Sequence, residues 1–145
     1  MATPEEFARR MKVRAKNIPL GATKLKRRVA LAIDQFLVIR CPVDTGRARS
    51  NFLVNLSAPR TDEIDPYVPG SPGASAQAAL DQGQKEIARA TQKTDIHITN
   101  NVVYVPELNA GSSPQAKAGF IEGSVRDGVR VGVGDSGAIV EITRG

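Results

Sequence analysis

The sequence predicts an α+β fold in which a small antiparallel or mixed sheet packs against a long helix of the N-terminal half. Apolar residues recur at 3.6-residue spacing between about residues 23 and 39, which is typical of a helix that faces a core. Apolar and polar residues alternate near 50–57 and 95–100, which predicts two short strands. An extended loop and a C-terminal arm complete the expected architecture.

The length and composition favour one domain with an aliphatic core. The chain has 145 residues, so we expect a single domain over 1–145, with an N-terminal helix in 1–20 and an extended tail at 130–145. Aromatic residues make up 4% of the chain and Trp is missing, so Val, Ile, Leu and Ala must fill most of the core. A single cysteine cannot form an internal disulfide, which fits a reducing compartment.

Targeting signals are not expected in this chain. The first residues are acidic and polar, unlike a signal peptide. The sequence contains no apolar run close to the roughly 20 residues that a membrane helix needs. We therefore expect no membrane partner.

The N-terminal half predicts two helices. Thr3 and Pro4 begin a first helix that we expect to run to about Lys16, and Pro19 with Gly21 predicts a break after it. The second helix is the main core helix and ends before Pro42. Its apolar stripe comprises Leu25, Val29, Ile33, Phe36 and Leu37.

The middle of the chain predicts a turn, a strand and a long loop. Residues 43–46 are typical of a turn in which Gly46 adopts positive φ. The strand at 50–57 should place Phe52, Val54 and Leu56 on one face. Residues 58–73 contain four prolines and two glycines, and a long loop of this kind in a compact protein is often functional or ordered by a partner.

The last third predicts a helix at 74–91, a strand at 95–100 and a helix at 115–125. The weak apolar face of the first helix comprises Ala78, Ala79, Ile87 and Ala90, and Ile96 and Ile98 should point inward from the strand. Beyond 128 the residues Val129, Val131 and Val133 alternate with polar residues and glycines, which predicts a strand and a late hairpin around 135–137. The same segment could instead be an arm that pairs with a neighbouring subunit.

Charge is distributed unevenly along the chain. Residues 1–50 hold 12 Lys and Arg against 4 Asp and Glu, whereas residues 51–145 hold 8 against 11. The basic half could bind nucleic acid or an acidic partner, or it could simply be the solvated faces of two amphipathic helices. Our candidates for contacts with DNA or an acidic partner are Arg9, Arg10, Lys12, Lys24, Arg27 and Arg28.

Two short motifs match parts of known enzyme sites, but the residues around them do not predict the secondary structure that those sites need. Residues 132–137 match Gly-x-Gly-x-x-Gly, but the strand-like residues that follow favour a glycine-rich turn over a dinucleotide site. Asp44, Thr45 and Gly46 match the tripeptide of aspartic proteases, which would act as a dimer. A long helix and a proline precede the tripeptide, so we favour a turn.

The remaining reactive residues do not form a pattern that predicts chemistry. His97 is the only histidine and alternates with two isoleucines, so we expect it to face solvent or an interface. Cys41 lacks a partner for nucleophilic catalysis and is explained as a small apolar residue at a helix end. Asp62, Glu63 and Asp65 do not follow a calcium-loop pattern. We therefore expect no catalytic residues, no cofactor and no metal.

Two motifs, taken in order, resemble a family of tailed-phage virion proteins. The first is Pro-Val-Asp-Thr-Gly-Arg at 42–47, and the second runs from Tyr104 through Leu-Asn-Ala-Gly-Ser-Ser-Pro-Gln to Phe120. Between them, a strand that ends in Thr-Asn-Asn at 99–101 also matches. The shared residues, which we call the signature residues, are Pro42, Asp44, Thr45, Gly46, Arg47, Tyr104, Leu108, Asn109, Gly111, Gln115, Gly119 and Phe120.

The resemblance covers roughly residues 20–125 and implies a structural subunit of the virion, not an enzyme. Such proteins act in tail completion at the head–tail junction, where they form rings around the DNA channel. The implied partners are copies of the same chain, the head-connector or adaptor, the tail terminator or tail tube and, non-specifically, the packaged DNA. The implied location is the virion neck or tail, after assembly in the host cytoplasm. Candidate interface residues are Ile64, Tyr67, Val68, Ile139, Val140 and Ile142.

Other functions remain open from the sequence. Within the same class, the chain could be a tail terminator or a head-closure subunit. The basic N-terminal half also allows a small nucleic-acid-binding module, although stacking aromatic residues are scarce. In the second motif, we expect the segment 111–115 to form a tight corner that lets Leu108 and Phe120 both reach the core.

Overall fold

The computed structural model confirms the α+β fold. It describes residues 4–42 and 46–134, and it describes side chains from residue 21 onward. The elements in chain order are α1 (Pro4–Arg40), α2 (Arg47–Ser50), β1 (Leu53–Leu56), α3 (Pro72–Ala88), β2 (Ile96–Thr99), α4 (Val105–Asn109) and α5 (Phe120–Gly134).

A single helix of 37 residues, α1, replaces the two helices that the sequence predicts. The predicted break was wrong, because α1 continues through Pro19 and Gly21. An internal proline removes one backbone hydrogen bond and costs about 3 kcal/mol, and an internal glycine costs about 1 kcal/mol. These costs affect only the turns around Pro19 and Gly21, and the hydrogen bonds of the other turns keep the helix continuous. The predicted end near Pro42 is confirmed.

The sheet has two antiparallel strands, with Leu53 opposite Thr99 and Leu56 opposite Ile96. β1 begins later than predicted, because residues 47–50 form the short helix α2. Three successive residues, Phe52, Leu53 and Val54, are buried, so both faces of this segment are covered and the predicted one-sided alternation was wrong. On its outer edge, the amide of Gln82 pairs with both the N–H and the carbonyl of Val54, at 3.1 and 2.8 Å.

Two apolar clusters fill the interior around α1. The larger one joins the C-terminal part of α1 to α2, α3, α4 and the start of α5, and it includes Leu37, Val38, Phe52 and Phe120. The smaller one packs Ala30 of α1 against Val54 and Ile87. Of the predicted apolar face at 74–91, Ala79, Ile87 and Ala90 are buried and Ala78 is half-buried. Both clusters consist mostly of aliphatic side chains.

α5 is a longer helix than the sequence predicts, and the expected strand over 129–134 was wrong. Ser124, Gly128 and Gly132 recur every fourth residue and are buried, and the two glycines lie against α1. A Cβ at Gly128 would lie 2.7 Å from the backbone of Ile33, and one at Gly132 would lie 2.7 Å from the Cα of Val29. These glycines bring the two helix backbones into close contact. The Gly-x-Gly at 132–134 is thus helical and is not a turn.

The corner after α4 agrees with the expectation for the second motif. Gly111 has φ +96°, and a Cβ there would lie 3.1 Å from that of Ala118. Leu108 packs against the main core and Phe120 is buried in it. The helix after the corner begins at Phe120 instead of 115. The loop 110–119 contains the Ser-Ser-Pro-Gln segment and connects α4 to α5.

Candidate functional site

The two sequence motifs meet in space around one cavity. A cavity of about 360 Å³ is lined on one side by Pro42 and Gly46 and on the other by Tyr104, Leu108 and Gln115. Gly46 has φ +79°, as predicted, and a Cβ there would lie 3.2 Å from Ser75 Oγ. Asp44 and Thr45 lie outside the described residues. The motifs are thus the two walls of one structural unit, although they are far apart in sequence.

The Thr-Asn-Asn motif connects the two walls. Asn100 donates a hydrogen bond from its amide to the carbonyl of Ala48 in α2, at 2.8 Å, and accepts one from the N–H of Val102, at 3.1 Å. Asn101 donates to the carbonyls of Arg60 and Asp62, at 2.9 and 3.2 Å. Adjacent asparagines therefore hold the segment before α4 against α2 and against the long loop.

The second motif is closed by Asn109. Its backbone carbonyl accepts a hydrogen bond from the N–H of Gly119, at 2.6 Å, and its side-chain oxygen accepts one from the N–H of Ile121, at 2.9 Å. Its side-chain amide donates to both carboxylate oxygens of Glu122, at 2.9 Å, and this hydrogen bond lowers the pKa of Glu122. One residue thus closes the ten-residue loop and positions the first turn of α5.

The loop 57–71, which we call the anchored loop, contains the candidate interface residues Ile64, Tyr67 and Val68. Three fully buried polar side chains hold their backbone. Asn51 accepts from the N–H of Ile64 and donates to its carbonyl, both at 2.8 Å. Ser50 Oγ accepts from the N–H of Tyr67 at 3.1 Å. In the same way, Ser75 Oγ accepts from the N–H of Val68 at 2.9 Å and donates to its carbonyl at 3.1 Å.

This anchoring fixes the loop while its side chains face outward. Tyr67 and Val68 are 37% and 40% exposed, although their backbone is held by buried groups. Burial of part of the ring raises the pKa of the Tyr67 phenol. Arg47 adds two ion pairs, with Glu63 and Asp65, both at 3.0 Å. A surface of this kind is ordered before a partner arrives, which reduces the entropy cost of binding.

The candidate basic residues are not equivalent in the structure. Arg27 donates from Nε to the carbonyl of Ala90 at 3.0 Å, next to the C-terminal end of α3, and Lys26 donates to the carbonyls of Thr91 and Thr94. Lys24 and Arg28 are exposed. The side chains of Arg9, Arg10 and Lys12 lie outside the described part of the chain. Arg27 thus joins α1 to the chain after α3.

Of the residues considered for catalysis, the structure describes Cys41 and His97. Cys41 is buried, and burial raises the pKa of its thiol to about 12, so it is a poor nucleophile near neutral pH. His97 lies on β2, opposite Asn55. Helices precede and follow the 44–46 tripeptide, in contrast to the strands of an aspartic protease. Among the described residues, no three His, Cys, Asp or Glu side chains are grouped so that they could hold a metal ion.

One buried carboxylate was not recognised from the sequence. Asp34 of α1 is fully buried, and neither of its carboxylate oxygens has a hydrogen-bond partner among the described residues. Burial raises its pKa to about 7. The signal was present, since Asp34 falls between Ala30 and Val38 on the apolar side of α1, where a charged residue is unexpected.

Comparisons of this chain with protein-family models, with curated proteins and with solved structures found no match. Within the part that the structure describes, no helix is long and apolar enough to cross a membrane. The candidate interface residues Ile139, Val140 and Ile142 lie outside the described residues.

Proposed function

We propose that this protein is a structural subunit of a tailed-phage virion that forms a ring at the head–tail junction and acts in tail completion. The phage assignment rests on the resemblance of the motifs at 42–47 and 104–120. Support for a role in assembly comes from one structural observation. Three buried polar side chains hold the backbone of the anchored loop, and the loop presents Tyr67 and Val68 to a partner.

The form of the anchored loop is better suited to a protein contact than to catalysis. A fixed backbone with exposed aromatic and aliphatic side chains next to acidic groups is typical of an interface core with a polar rim. A ring needs head-to-tail contacts between two different surfaces of the same subunit, so a second, complementary surface must exist elsewhere on the chain.

Assembly of the purified protein tests the first half of the proposal. Native mass spectrometry and negative-stain images of the wild type should show a closed ring, alone or with its neighbours from the virion. The Tyr67→Ser/Val68→Ser variant should stay folded but lose the ring, and its urea midpoint should fall because both side chains are more than half buried. A matched change at exposed valines of α5, Val129→Ser/Val131→Ser, controls for loss of apolar surface. Rings that persist in the loop variant and disappear in the control would contradict this role of the loop.

A phage that lacks the gene tests the second half. Electron microscopy of such lysates should show filled heads and complete tails that are not joined, and the wild-type gene supplied in trans should restore infectious particles. Normal joining in the deletion would contradict the proposal. A tail terminator would give tails of abnormal length, and a head-closure subunit would give heads that lose DNA, so the same images separate the three positions.

A small nucleic-acid-binding module is the alternative that the exposed Lys24 and Arg28 favour. Non-specific binding of DNA by a monomer would weaken steeply with salt, because bound phosphates release counterions. Titration of a duplex at two salt concentrations distinguishes the functions. Tight, salt-sensitive binding by a protein that never assembles would favour the module.

A further inference from the structure

The C-terminal end of α1, Arg49 of α2, the loop residues 115–119 and the first half of α5 line a cavity of about 830 Å³. Its lining includes four cationic side chains and one carboxylate, together with an isoleucine that is 59% exposed. We call this the basic cavity, and the residues that define it are Ile39, Arg40, Arg49, Lys117, Arg126 and Asp127.

The single carboxylate in the basic cavity does not balance the cations. Asp127 pairs with Arg40 at 2.8 Å, and this contact is the largest cause of its lowered pKa. The same carboxylate also receives Arg130 at 2.6 Å and Arg126 at 3.5 Å. Arg49 donates hydrogen bonds to the carbonyls of Ile39 and Cys41, at the end of α1. Among the described residues, no carboxylate forms an ion pair with Arg49. The cavity thus has an excess of positive charge and an apolar wall.

The anchored loop has the opposite character. It presents Asp62, Glu63 and Asp65 next to Tyr67 and Val68, and the side chain of Asp65 is 89% exposed. Arg47 and Arg60 pair with these acids but leave one negative charge in excess. The loop therefore combines an acidic group with apolar side chains, and the basic cavity combines cationic groups with an apolar wall.

We propose that the anchored loop of one subunit docks into the basic cavity of the next copy of the same chain. The two surfaces lie on different parts of the chain, so the contact is heterologous and can repeat around a ring. Opposite charges would guide the encounter, and the exposed Tyr67 and Val68 would be buried against Ile39. This inference rests on the proposed ring function and names the two surfaces that would form it.

Charge reversal on each surface provides the test. The loop variant is Asp65→Arg, and the cavity variant is Lys117→Glu/Arg126→Glu. The exposed ion pairs that these changes remove, Arg47 with Asp65 and Arg126 with Asp127, are each worth less than about 1 kcal/mol, so the urea midpoint should change little. Each variant alone should raise the protein concentration at half-assembly by at least about tenfold, because like charges would then face each other. Lys85→Glu/Arg89→Glu, at exposed positions near the C-terminal end of α3, changes the net charge by as much as the cavity variant does and should assemble normally.

A mixture of the two variants gives the sharpest outcome. The loop variant keeps an intact cavity, and the cavity variant keeps an intact loop. An equimolar mixture should therefore associate where neither variant does alone, with one copy of each in the smallest complex by native mass spectrometry. Normal assembly of either variant alone, or no association on mixing, would overturn the inference. If the wild type forms rings, such a result leaves the ring function intact; a wild type that never assembles would overturn both.

Discussion

Gly83 of α3 lies directly against the buried carboxylate of Asp34. A Cβ added at Gly83 would lie 2.1 Å from Asp34 Oδ2, closer than any real contact. At this point α3 has a glycine, and α1 has the carboxyl group of Asp34. This carboxyl group has no hydrogen-bond partner in the described part of the chain. An internal glycine and a buried carboxyl group without a hydrogen-bond partner both reduce stability, so this contact weakens the core.

The stability of the protein should fall as the pH rises from about 4 to about 7. Burial raises the pKa of Asp34 from 3.8 to about 7, so its contribution is fully present below pH 4 and is lost as the pH passes through 7. The loss is roughly 4 kcal/mol in the free energy of unfolding. Asp34→Asn should remove this pH dependence. At pH 8, its free energy of unfolding, measured with urea, should exceed that of the wild type. Asp95→Asn, at an exposed carboxylate, is the control; equal slopes in both variants would refute the assignment.

Gly83→Ala should destabilise the protein despite the better helix propensity of alanine. Its methyl group would collide with Asp34 and lie 3.2 Å from Val54 Cγ2, and such overpacking typically costs about 1–3 kcal/mol. The cost should shrink in an Asp34→Ala background, which a double-mutant cycle would measure. Gly73→Ala, on the same helix with no atom within 4 Å of the added group, should be neutral or stabilising. Equal urea midpoints for the two single variants would count against this packing.

Gly128→Ala should separate α5 from α1. The added methyl would lie 2.7 Å from backbone atoms of Ile33. The backbone of a helix cannot move aside as easily as a flexible side chain. We expect a loss of about 2–3 kcal/mol in the free energy of unfolding. Gly123→Ala on the same helix would meet only the far ends of two arginines, at 3.7 Å or more, and should be tolerated. If both variants unfold at the same urea concentration, then the close packing of α5 against α1 does not require glycine at position 128.

Asn51→Ala should release the anchored loop without unfolding the domain. It removes three hydrogen bonds, two of them to the backbone of Ile64, and should cost roughly 2–3 kcal/mol. Hydrogen exchange of the Ile64 amide should accelerate far more than that of β1. Asn55→Ala, which removes a single bond to Ala58 near the surface, is the matched control and should cost less than about 1 kcal/mol. Unchanged exchange at Ile64 would show that Asn51 does not hold the loop.

The parts of the fold that follow simple periodicity could be predicted. The 3.6-residue spacing located the core part of α1 and most of α3, and strict alternation located β2. The C-terminal half of α5 could not be found this way, because Gly128 and Gly132 lower helix propensity and stand where apolar side chains are expected. Their recurrence every fourth residue is the useful signal, since it marks a helix face pressed against another backbone.

The candidate site was only partly predictable for a different reason. Composition alone marks 58–73 as a loop, but it does not indicate what holds the loop. Asn51, Ser50 and Ser75 are small polar residues that would be unremarkable on a surface, and their role depends on burial beneath a segment distant in sequence. The basic cavity likewise combines the end of α1 with residues more than seventy positions later, which local patterns cannot join.

Asn109→Asp should make the stability of the second motif depend on pH. The substitution keeps the acceptor for the N–H of Ile121 but replaces the donor to Glu122 with a second carboxylate. Above the pKa values of both acids the two charges repel, so the thermal midpoint should fall at pH 7 and recover in acid, where one of them is protonated. In the Asn109→Asp/Glu122→Gln double variant, the amide of residue 122 can donate to the carboxylate of residue 109. The thermal midpoint at pH 7 should therefore return to that of the wild type. If Asn109→Asp melts like the wild type at pH 7, or if Glu122→Gln gives no recovery, then the contact with Glu122 does not stabilise the loop, and its closure depends on backbone hydrogen bonds alone.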